Sequence, residues 1–437
     1  MSNIAHTLIR TPALSSRFSA WWLALGLVGS SATALRFHGL PLGLGELLLL
    51  GWLIFEWGGR ISAGEFRLRG FQWRNYPLDA VALLATLGTL AATQAWANLA
   101  GHLAWHAQRD FAALIFAGGL ALTLSSMKDR ERFSQEMLIA FFWLAAAVSS
   151  VLLLYGLMGW SLGWDTWAFN NETFKTRFMG LAANPNQFAL FVVTLPACLG
   201  LIWMHRTGVI RSVGVILGWL ALMAGLATQA EALMLAWVIV AIFFLAAAGL
   251  MRNGQRAVRR AYLLVAVSIF LAFAGWPLVV QVVQVVQVVQ NDAGVTTYAE
   301  AVQKESQQDS TQQNQVNIRL NLYMHGLSAW VDSPWVGHGV QMVSGIDRPY
   351  QGNEAHNLLI DWMTFSGVLG LLPLLAWGGL LARHAWMRRN VLGLGALLAL
   401  AVYSQFGLYA RHPLFWVLVC AFAFLPGWPA LASKRPR

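Results

Sequence analysis

A histidine and an asparagine stand at the start of a long apolar segment, where His356 and Asn357 closely follow Glu354. We predict that Asn353 or Glu354 caps the helix that follows, which places His356 in its first turn. The positive end of the helix dipole disfavours an imidazolium there, and a nearby arginine acts in the same direction. A neutral imidazole is the form that a general base for a hydroxyl requires. His356 is therefore a candidate base, and the alternative is a histidine that only hydrogen-bonds lipid or loop backbone.

Further polar residues stand at the ends of apolar segments, on the side that the charge pattern assigns to the outside. A single charge at such a place usually contacts only lipid headgroups. Several together form a basic face, and arginine can hold phosphate oxygens through two parallel hydrogen bonds. Glu46 and Asp361 lie within a few residues of this face. Its members are Arg177, "NPNQFAL" (184–190), "TQAE" (228–231), Arg319, His338, Arg348, His356 and "YARHP" (409–413), which includes Arg411.

The outer face lacks the acidic pattern of a divalent-metal site. Glu305 and Asp309 are four residues apart, but they belong to a polar stretch, and the outer segments contain no D-x-D motif. We therefore predict chemistry without a metal or any other cofactor. A pyrophosphate leaving group would then depend on cationic side chains.

The elements that must position these residues follow from the composition. The chain has 437 residues, of which 57% are hydrophobic and 11% charged, and its mean hydropathy is +0.56. Soluble domains carry roughly 25% charged residues. The apolar residues come in blocks of about 20, enough to cross a hydrocarbon core of about 30 Å. The two cysteines, Cys198 and Cys420, lie inside such blocks and predict no disulfide framework. We predict an all-α polytopic membrane protein.

The distribution of charge predicts the topology. When the segments between the apolar blocks alternate between two sides, most of the 29 lysines and arginines fall on one side, which indicates the cytoplasm. Both termini are then predicted to be cytoplasmic, and the net charge of +10 belongs to the loops rather than to a nucleic-acid site. The twelve predicted spans are 19–35, 40–57, 77–98, 111–127, 137–160, 185–204, 212–228, 232–250, 261–282, 357–382, 391–409 and 413–431.

One outside connection is much longer than the others and divides the chain. Residues 1–282 hold nine predicted spans, 283–356 form a large outer loop, and 357–437 hold three more spans. The repeat "QVVQVVQVVQ" (281–290) predicts that the ninth span continues as a helix beyond the bilayer. The stretch 304–315 is polar and predicted to be mobile, and 316–339 predict an amphipathic helix followed by a turn. Charge near the midplane is sparse, which favours a site at the outer leaflet over a mid-bilayer transport site.

Three segments resemble the motifs of the O-antigen ligase superfamily. His356-Asn357 followed by Gly367 and Gly370 fits its H-[N/S/Q]-x9-G-x-x-[G/T/Y] pattern. "RFMGLAANPNQFAL" (177–190) resembles the R-x-x-G and N-P-N element, and "RLNLYMHGLSAWVDSPWVGHG" (319–339) resembles the R-x-x-x-[W/Y] and P-x-x-G-x-G element. The three elements span the second half of the chain in the family's order.

This resemblance implies a membrane glycosyltransferase of the GT-C type in lipopolysaccharide biosynthesis. Such an enzyme moves a glycan from undecaprenyl pyrophosphate to a sugar hydroxyl of the lipid A–core oligosaccharide, with inversion and without a metal, at the periplasmic face of the bacterial inner membrane. His356 would be the base, and Arg319 and Arg177 would bind the pyrophosphate. His338 would be structural or line the substrate. The remaining substrate-binding candidates are Asn357, Arg348, Arg411 and Glu231.

The chain departs from the family pattern at one position. Glu231, in "TQAEALMLA", stands where an arginine is expected, and a glutamate repels pyrophosphate. The turn then has another role, the alignment is shifted, or the substitution weakens activity. An O-antigen polymerase and a protein O-oligosaccharyltransferase are alternative enzymes. A transporter of lipid-linked glycan is disfavoured by the large loop beside the histidine motif.

Overall fold

The computed structural model of the protein describes residues 12–37, 42–62, 77–100, 105–161, 177–251, 255–291, 309–340 and 354–427. Within these ranges the chain forms α-helices joined by turns and short 3-10 segments, and no residue lies in a strand. The predicted all-α class is therefore confirmed for this part of the chain.

The helices follow the apolar blocks of the sequence. In chain order they are α1 (Pro12–Ser31), α2 (Leu44–Ser62), α3 (Leu78–Leu99), α4 (Trp105–Ser125), α5 (Arg130–Ser161), α6 (Pro185–Val192), α7 (Leu195–His205), α8 (Gly208–Ala227), α9 (Glu231–Gly249), α10 (Arg256–Asn291), α11 (Asp309–Asp332), α12 (Leu358–Met387), α13 (Val391–Tyr403) and α14 (Pro413–Phe424).

Seven helical segments of the described chain are long and apolar enough to cross a membrane. They are α3, α5, the α6–α7 pair, α8, α9, α10 and α12, whereas α13 and α14 are shorter apolar helices. Every predicted span coincides with at least one helix, but the number of twelve crossings stays a prediction. The ends of the chain, 1–11 and 428–437, lie outside the described residues, and their cytoplasmic location also stays a prediction.

The predicted sixth span is interrupted. Its helix ends at Val192 and resumes at Leu195, because Pro196 has no N–H to continue the hydrogen-bond ladder. The indole of Trp237 on α9 donates to the carbonyl of Val193 at 3.0 Å, which satisfies a backbone group at the break. The break between α6 and α7 is therefore stabilised by its contact with α9.

The large outer loop is more helical than predicted. The ninth span does continue as a helix, because α10 runs to Asn291. The amphipathic helix begins earlier than expected, since α11 starts at Asp309 and includes the polar residues 309–315 that were predicted to be mobile. Residues 292–308 and 341–353 lie outside the described ranges.

The last helix organises the centre of the bundle. Every residue of α14 is buried, and the helix packs against α1, α4, α5, α12 and α13. A helix surrounded by protein can be apolar on all sides, as this one is. Its N-terminus holds the short 3-10 segment Tyr409–Arg411 in place. In this way α14 positions one wall of the candidate site.

Candidate functional site

A cavity of about 950 Å³ opens beside the N-terminal ends of α6 and α14. Its walls come from the turn after α1, from α2, α4 and α6, and from residues 406–413. Three of the predicted residues, Arg319, His356 and Arg411, line this one cavity although they come from distant parts of the chain. The other charged lining residues are Arg36, Glu46, Arg109 and Asp110.

His356 is held in an unusual backbone conformation just before α12. Its φ is 56°, in the left-handed region that residues other than glycine rarely adopt. The carboxylate of Asp361 accepts the N–H groups on both sides, from Ala355 at 2.8 Å and from Asn357 at 3.1 Å. Such a conformation costs on the order of 1–3 kcal/mol and persists where the surroundings hold it. Asp361 is thus the residue that fixes the backbone of His356.

The helix cap differs from the predicted one. Asn357 is the N-cap of α12, and its side chain accepts the N–H groups of Leu359 and Ile360 at 3.0 and 3.2 Å. The prediction that Asn353 or Glu354 caps the helix is therefore wrong, and His356 precedes the helix instead of lying in its first turn. The amide of Asn357 also donates to the carbonyl of Gln405 at 3.3 Å, so its observed contacts are structural.

The surroundings of His356 favour the neutral imidazole. Burial lowers the pKa of His356, and the charges of Arg411 and Arg319 lower it further, while Glu354 has the opposite effect. The imidazole Nδ1 lies 3.8 Å from Glu354 Oε2, and the side chain is 39% exposed. The two arginines act in the direction that the sequence predicts, and burial is the larger cause.

Arg411 is bound by two buried carboxylates. Its Nη1 lies 2.5 Å from Asp110 Oδ2 and 2.8 Å from Glu354 Oε1. Burial lowers the pKa of Arg411, but the two carboxylates outweigh this effect and raise it overall. Arg109 donates to the other oxygen of Asp110 at 2.9 Å. Arg411 therefore joins α4 to the segment before α12, and its charge is already balanced.

Arg319 has a much weaker partner. Its Nη1 lies 3.7 Å from Glu231 Oε2, and the two side chains are 38% and 72% exposed. Exposed pairs of this kind contribute less than about 1 kcal/mol. The structure thus brings Glu231 to the candidate site, where its carboxylate faces the guanidinium that was predicted to bind pyrophosphate.

Arg177 connects the 177–190 element to the 228–231 turn. Its Nε donates to the carbonyl of Thr228 at 2.8 Å, and its Nη2 donates to Asn186 Oδ1 at 3.2 Å. Asn184 caps α6 by accepting the N–H of Gln187 at 2.9 Å. Burial lowers the pKa of Arg177, the charge of Glu231 opposes this effect, and the charge of Arg319 acts in the same direction as burial.

Two glycines of the family motifs meet where residues 334–340 cross α12. A Cβ on Gly367 would lie 2.3 Å from the carbonyl of Trp335, and one on Gly337 would lie 2.6 Å from the backbone of Phe365. Both glycines have positive φ, 60° and 67°. The N–H groups of His338 and Gly339 donate to the carbonyls of Thr364 and Phe365 at 2.8 and 3.0 Å. The motif glycines therefore allow backbone to pack directly on backbone.

His338 belongs to this crossing and does not line the cavity. Its Nε2 is hydrogen-bonded to the carbonyl of Ala329 at 2.7 Å. These contacts agree with a structural role for His338. Arg348, the remaining candidate, lies outside the described residues.

Sequence reasoning missed several residues that the fold brings to the cavity. They are Thr33, Arg36, Arg109 and Asp110. Arg36 is paired at 2.6 Å with Glu46 and Thr33 donates at 2.5 Å to Gln187, two residues that the sequence had already placed near this face. When the segments between the predicted spans alternate between the two sides, Arg36 and Arg109 also fall on the outer side, and this is the signal that could have included them. Among the residues that the structure describes, no three of the types His, Cys, Asp and Glu come together as metal ligands. Metal independence itself stays a prediction.

The comparisons with known proteins support one family. Residues 216–375 match a family model described as O-antigen ligase, and no curated protein matches the chain. The matched segment contains Glu231, Arg319, His338 and His356, and it extends past the kink at Gly367. This family consists of membrane enzymes of the glycosyltransferase kind. The match over residues 216–375 confirms the predicted resemblance to the O-antigen ligase superfamily.

Proposed function

We propose that this protein is an O-antigen ligase of lipopolysaccharide biosynthesis. It transfers a glycan from undecaprenyl pyrophosphate to a sugar hydroxyl of the lipid A–core oligosaccharide. The observation that carries the proposal is the presence of His356 and Arg319 on one cavity, with both residues inside the matched domain.

The reaction is a single displacement that inverts the anomeric carbon. His356 takes the proton of the acceptor hydroxyl, and the hydroxyl oxygen attacks the anomeric carbon from the face opposite the pyrophosphate. The new C–O bond forms as the bond to the phosphate oxygen breaks, and the pyrophosphate leaves with the electron pair. A neutral His356 is ready to accept that proton, because burial and two arginines lower its pKa.

Arg319 is the proposed ligand of the leaving pyrophosphate. Its contact with Glu231 is long and exposed, so a phosphate oxygen can replace the carboxylate. Arg411 holds two buried carboxylates, and Arg177 is hydrogen-bonded to Thr228 and Asn186. These two arginines hold neighbouring segments of the site in place. The negative charge that develops on the leaving pyrophosphate is stabilised mainly by Arg319.

A lipid-borne donor fits the walls of the cavity. Leu50 on α2 and Phe116 on α4 line it beside the charged residues, and Leu50 is 42% exposed. An isoprenoid chain can therefore stay in lipid while its pyrophosphate reaches Arg319. We place the site at the periplasmic face of the bacterial inner membrane, where both lipid substrates would meet it.

The proposal is tested with purified protein in lipid nanodiscs. Undecaprenyl-pyrophosphate-linked glycan is supplied with one of three acceptors, which are lipid A–core, a second lipid-linked glycan, or an unfolded acceptor protein. Ligated lipid A–core that requires His356 is the expected product. A product only with lipid-linked glycan would assign the chain as a polymerase, and a product only with protein would make it an oligosaccharyltransferase. Movement of the donor across a bilayer without any product would assign a transporter.

A further inference from the structure

We propose that Glu354 is a positioning residue for His356 and balances the positive charge that His356 gains with the acceptor's proton. The proposal rests on the proposed function, in which His356 is the base. It adds a residue that the family-like motif does not include, since the motif begins at His356.

The position of Glu354 is fixed by contacts on two sides. The residue is 7% exposed, and its Oε1 lies 2.8 Å from Arg411 Nη1. Its Oε2 lies 3.8 Å from His356 Nδ1. The backbone between the two residues is fixed in turn, because Asp361 accepts the N–H of Ala355. A side chain held in this way cannot easily turn away from the imidazole.

The contact selects which imidazole nitrogen is basic. A proton on Nδ1 is attracted by the Glu354 carboxylate, so the neutral ring keeps its lone pair on Nε2. At 3.8 Å the two atoms are too far apart for a hydrogen bond, and the attraction is one of charge. When Nε2 takes the acceptor's proton, the resulting imidazolium faces a carboxylate that is already in place.

The charges around the site make Glu354 difficult to replace. Arg109, Asp110, Arg411 and Glu354 form a connected set in which two guanidinium groups balance two carboxylates. Glu354 is the member of this set that lies against the imidazole, so without it the ring is left beside the Arg411 guanidinium and an added imidazolium is repelled. The charged and titratable groups around His356 are Glu354 on its own segment, Arg411 and Tyr409 before α14, Arg319 on α11, Asp361 on α12 and, through Arg411, Asp110 on α4.

The expected sign of the pH effect follows from these groups. Burial, Arg411 and Arg319 lower the pKa of His356, and Glu354 raises it. Loss of the Glu354 charge therefore lowers the pKa further. Because the base must be neutral, the fall in transfer rate on the acid side then moves to lower pH. The maximal rate decreases as well, because the imidazolium formed in the reaction has lost its counter-charge.

The experiment compares Glu354→Gln with Asp110→Asn in the full-length protein in nanodiscs. Each variant removes one of the two carboxylates on Arg411, but only Glu354 lies against His356. We expect Glu354→Gln to lower the maximal transfer rate at least about 10-fold. We also expect it to shift the acid limb of the pH–rate profile, where the rate falls with falling pH, to lower pH. Asp110→Asn is expected to keep the acid limb of the wild type, whatever its maximal rate.

A second measurement does not depend on transfer. The His356 imidazole is titrated by NMR with labelled histidine, and its signal is identified by its absence in His356→Gln. We expect a lower pKa in Glu354→Gln than in the wild type and Asp110→Asn. If Glu354→Gln does not fold, Glu354→Asp replaces it, and we expect a smaller shift in the same direction because the shorter carboxylate lies farther from the ring.

The outcomes separate this proposal from the proposed function. An unchanged His356 titration and acid limb in Glu354→Gln would overturn the role of Glu354, even if ligation is observed. Equal shifts in Glu354→Gln and Asp110→Asn would assign the effect to Arg411 instead. Failure of the wild-type protein to ligate any acceptor would refute the proposed function, and the NMR titration would still decide whether Glu354 controls His356.

Discussion

At the scale of single residues, the site depends on how each charge is already paired. Asp110 and Glu354 balance Arg411 within the protein, whereas the acidic partner of Arg319 among the described residues is the exposed Glu231. The histidine that was predicted to be a base has a lowered pKa, with burial as the main cause. Residues whose contacts are weak and exposed are therefore the ones that we expect to meet substrate.

Replacing His356 tests its role as base. We expect His356→Ala to insert and fold normally, but to lower the transfer rate about 10²–10⁴-fold, because no other group takes the proton. The rate is measured with lipid A–core as acceptor, at equal amounts of monodisperse protein. His338→Ala is the comparison, since His338 contacts the carbonyl of Ala329 and does not line the cavity. A larger defect in transfer for His338→Ala at equal folding would mean that the base is the other histidine.

Replacing Arg319 tests the pyrophosphate site. We expect Arg319→Ala to lose about 10²–10³-fold in transfer rate, and Arg319→Lys to recover only part of it, because lysine keeps the charge but lacks the planar fork. Initial rates at saturating acceptor measure both effects. Arg177→Lys is expected to be more tolerant, since Arg177 contacts backbone and an amide. Full activity in Arg319→Lys would instead indicate simple attraction to headgroups.

Replacing Glu231 is expected to strengthen donor binding, in contrast to the losses expected for the His356 and Arg319 variants. Its carboxylate lies 3.7 Å from Arg319 Nη1, where it competes with a phosphate. We expect Glu231→Arg to tighten donor binding and Glu231→Gln to have an intermediate effect, as measured by the Kd for undecaprenyl pyrophosphate. Donor binding that does not change in Glu231→Arg would exclude the 228–231 turn from the pyrophosphate site.

At the scale of elements, the site is built from helix ends and backbone crossings. The N-cap Asn357 starts α12, Asp361 on its first turn fixes the strained backbone of His356, and Tyr409–Arg411 precede α14. The kink at Gly367 lets residues 334–340 cross α12, and Val340 donates to Gln94 on α3 at 2.8 Å. These connections join the large outer loop to the helix that carries His356.

The crossing at Gly367 predicts a specific stability defect. We expect Gly367→Ala to destabilise the protein by at least about 1–3 kcal/mol, because the residue has φ 60° and a Cβ would collide with the backbone of Trp335. Thermal unfolding in nanodiscs measures the loss. Gly378→Ala on the same helix is the matched control, since a Cβ there meets no atom within 4 Å. Equal melting temperatures for the two variants would contradict the proposed packing.

At the scale of the whole molecule, the described helices form an apolar bundle with a polar cavity at the end where α6 and α14 begin. The buried helix α14 connects this end to α1, α4, α5, α12 and α13. Apolar residues of α2 and α4 complete the cavity wall. The arrangement suits two lipid substrates that approach within the membrane and react at its surface.

The whole reaction is predicted to proceed without a metal ion. We expect transfer in nanodiscs to continue at an undiminished rate in excess EDTA, because arginine side chains stabilise the leaving group. The rate is compared before and after chelation, and again after Mg²⁺ or Mn²⁺ is added. Activity that disappears with EDTA and returns with either ion would reveal a metal site involving acids such as Glu231 or Asp361.

The sequence by itself determined the helical class, the position of most helices and the identity of His356 and Arg319 as candidates. These features depend on local information, since hydrophobic blocks, prolines and short motifs act within neighbouring residues. Even so, the cap at Asn357 was missed, because Asn353, Glu354 and Asn357 are all able to cap and only the observed backbone distinguishes them.

The tertiary structure alone decided how the charges are paired. Arg411 and Asp110 are 301 residues apart, and no pattern in the chain relates them before α4 and α14 pack together. The same holds for the contact between Glu231 and Arg319. Glu231 departs from the family pattern, and only the tertiary structure shows that it lies beside Arg319, the proposed phosphate ligand. Charge alone places a residue on one side of the membrane, but only packing determines which opposite charge it meets and therefore whether it remains available to a substrate.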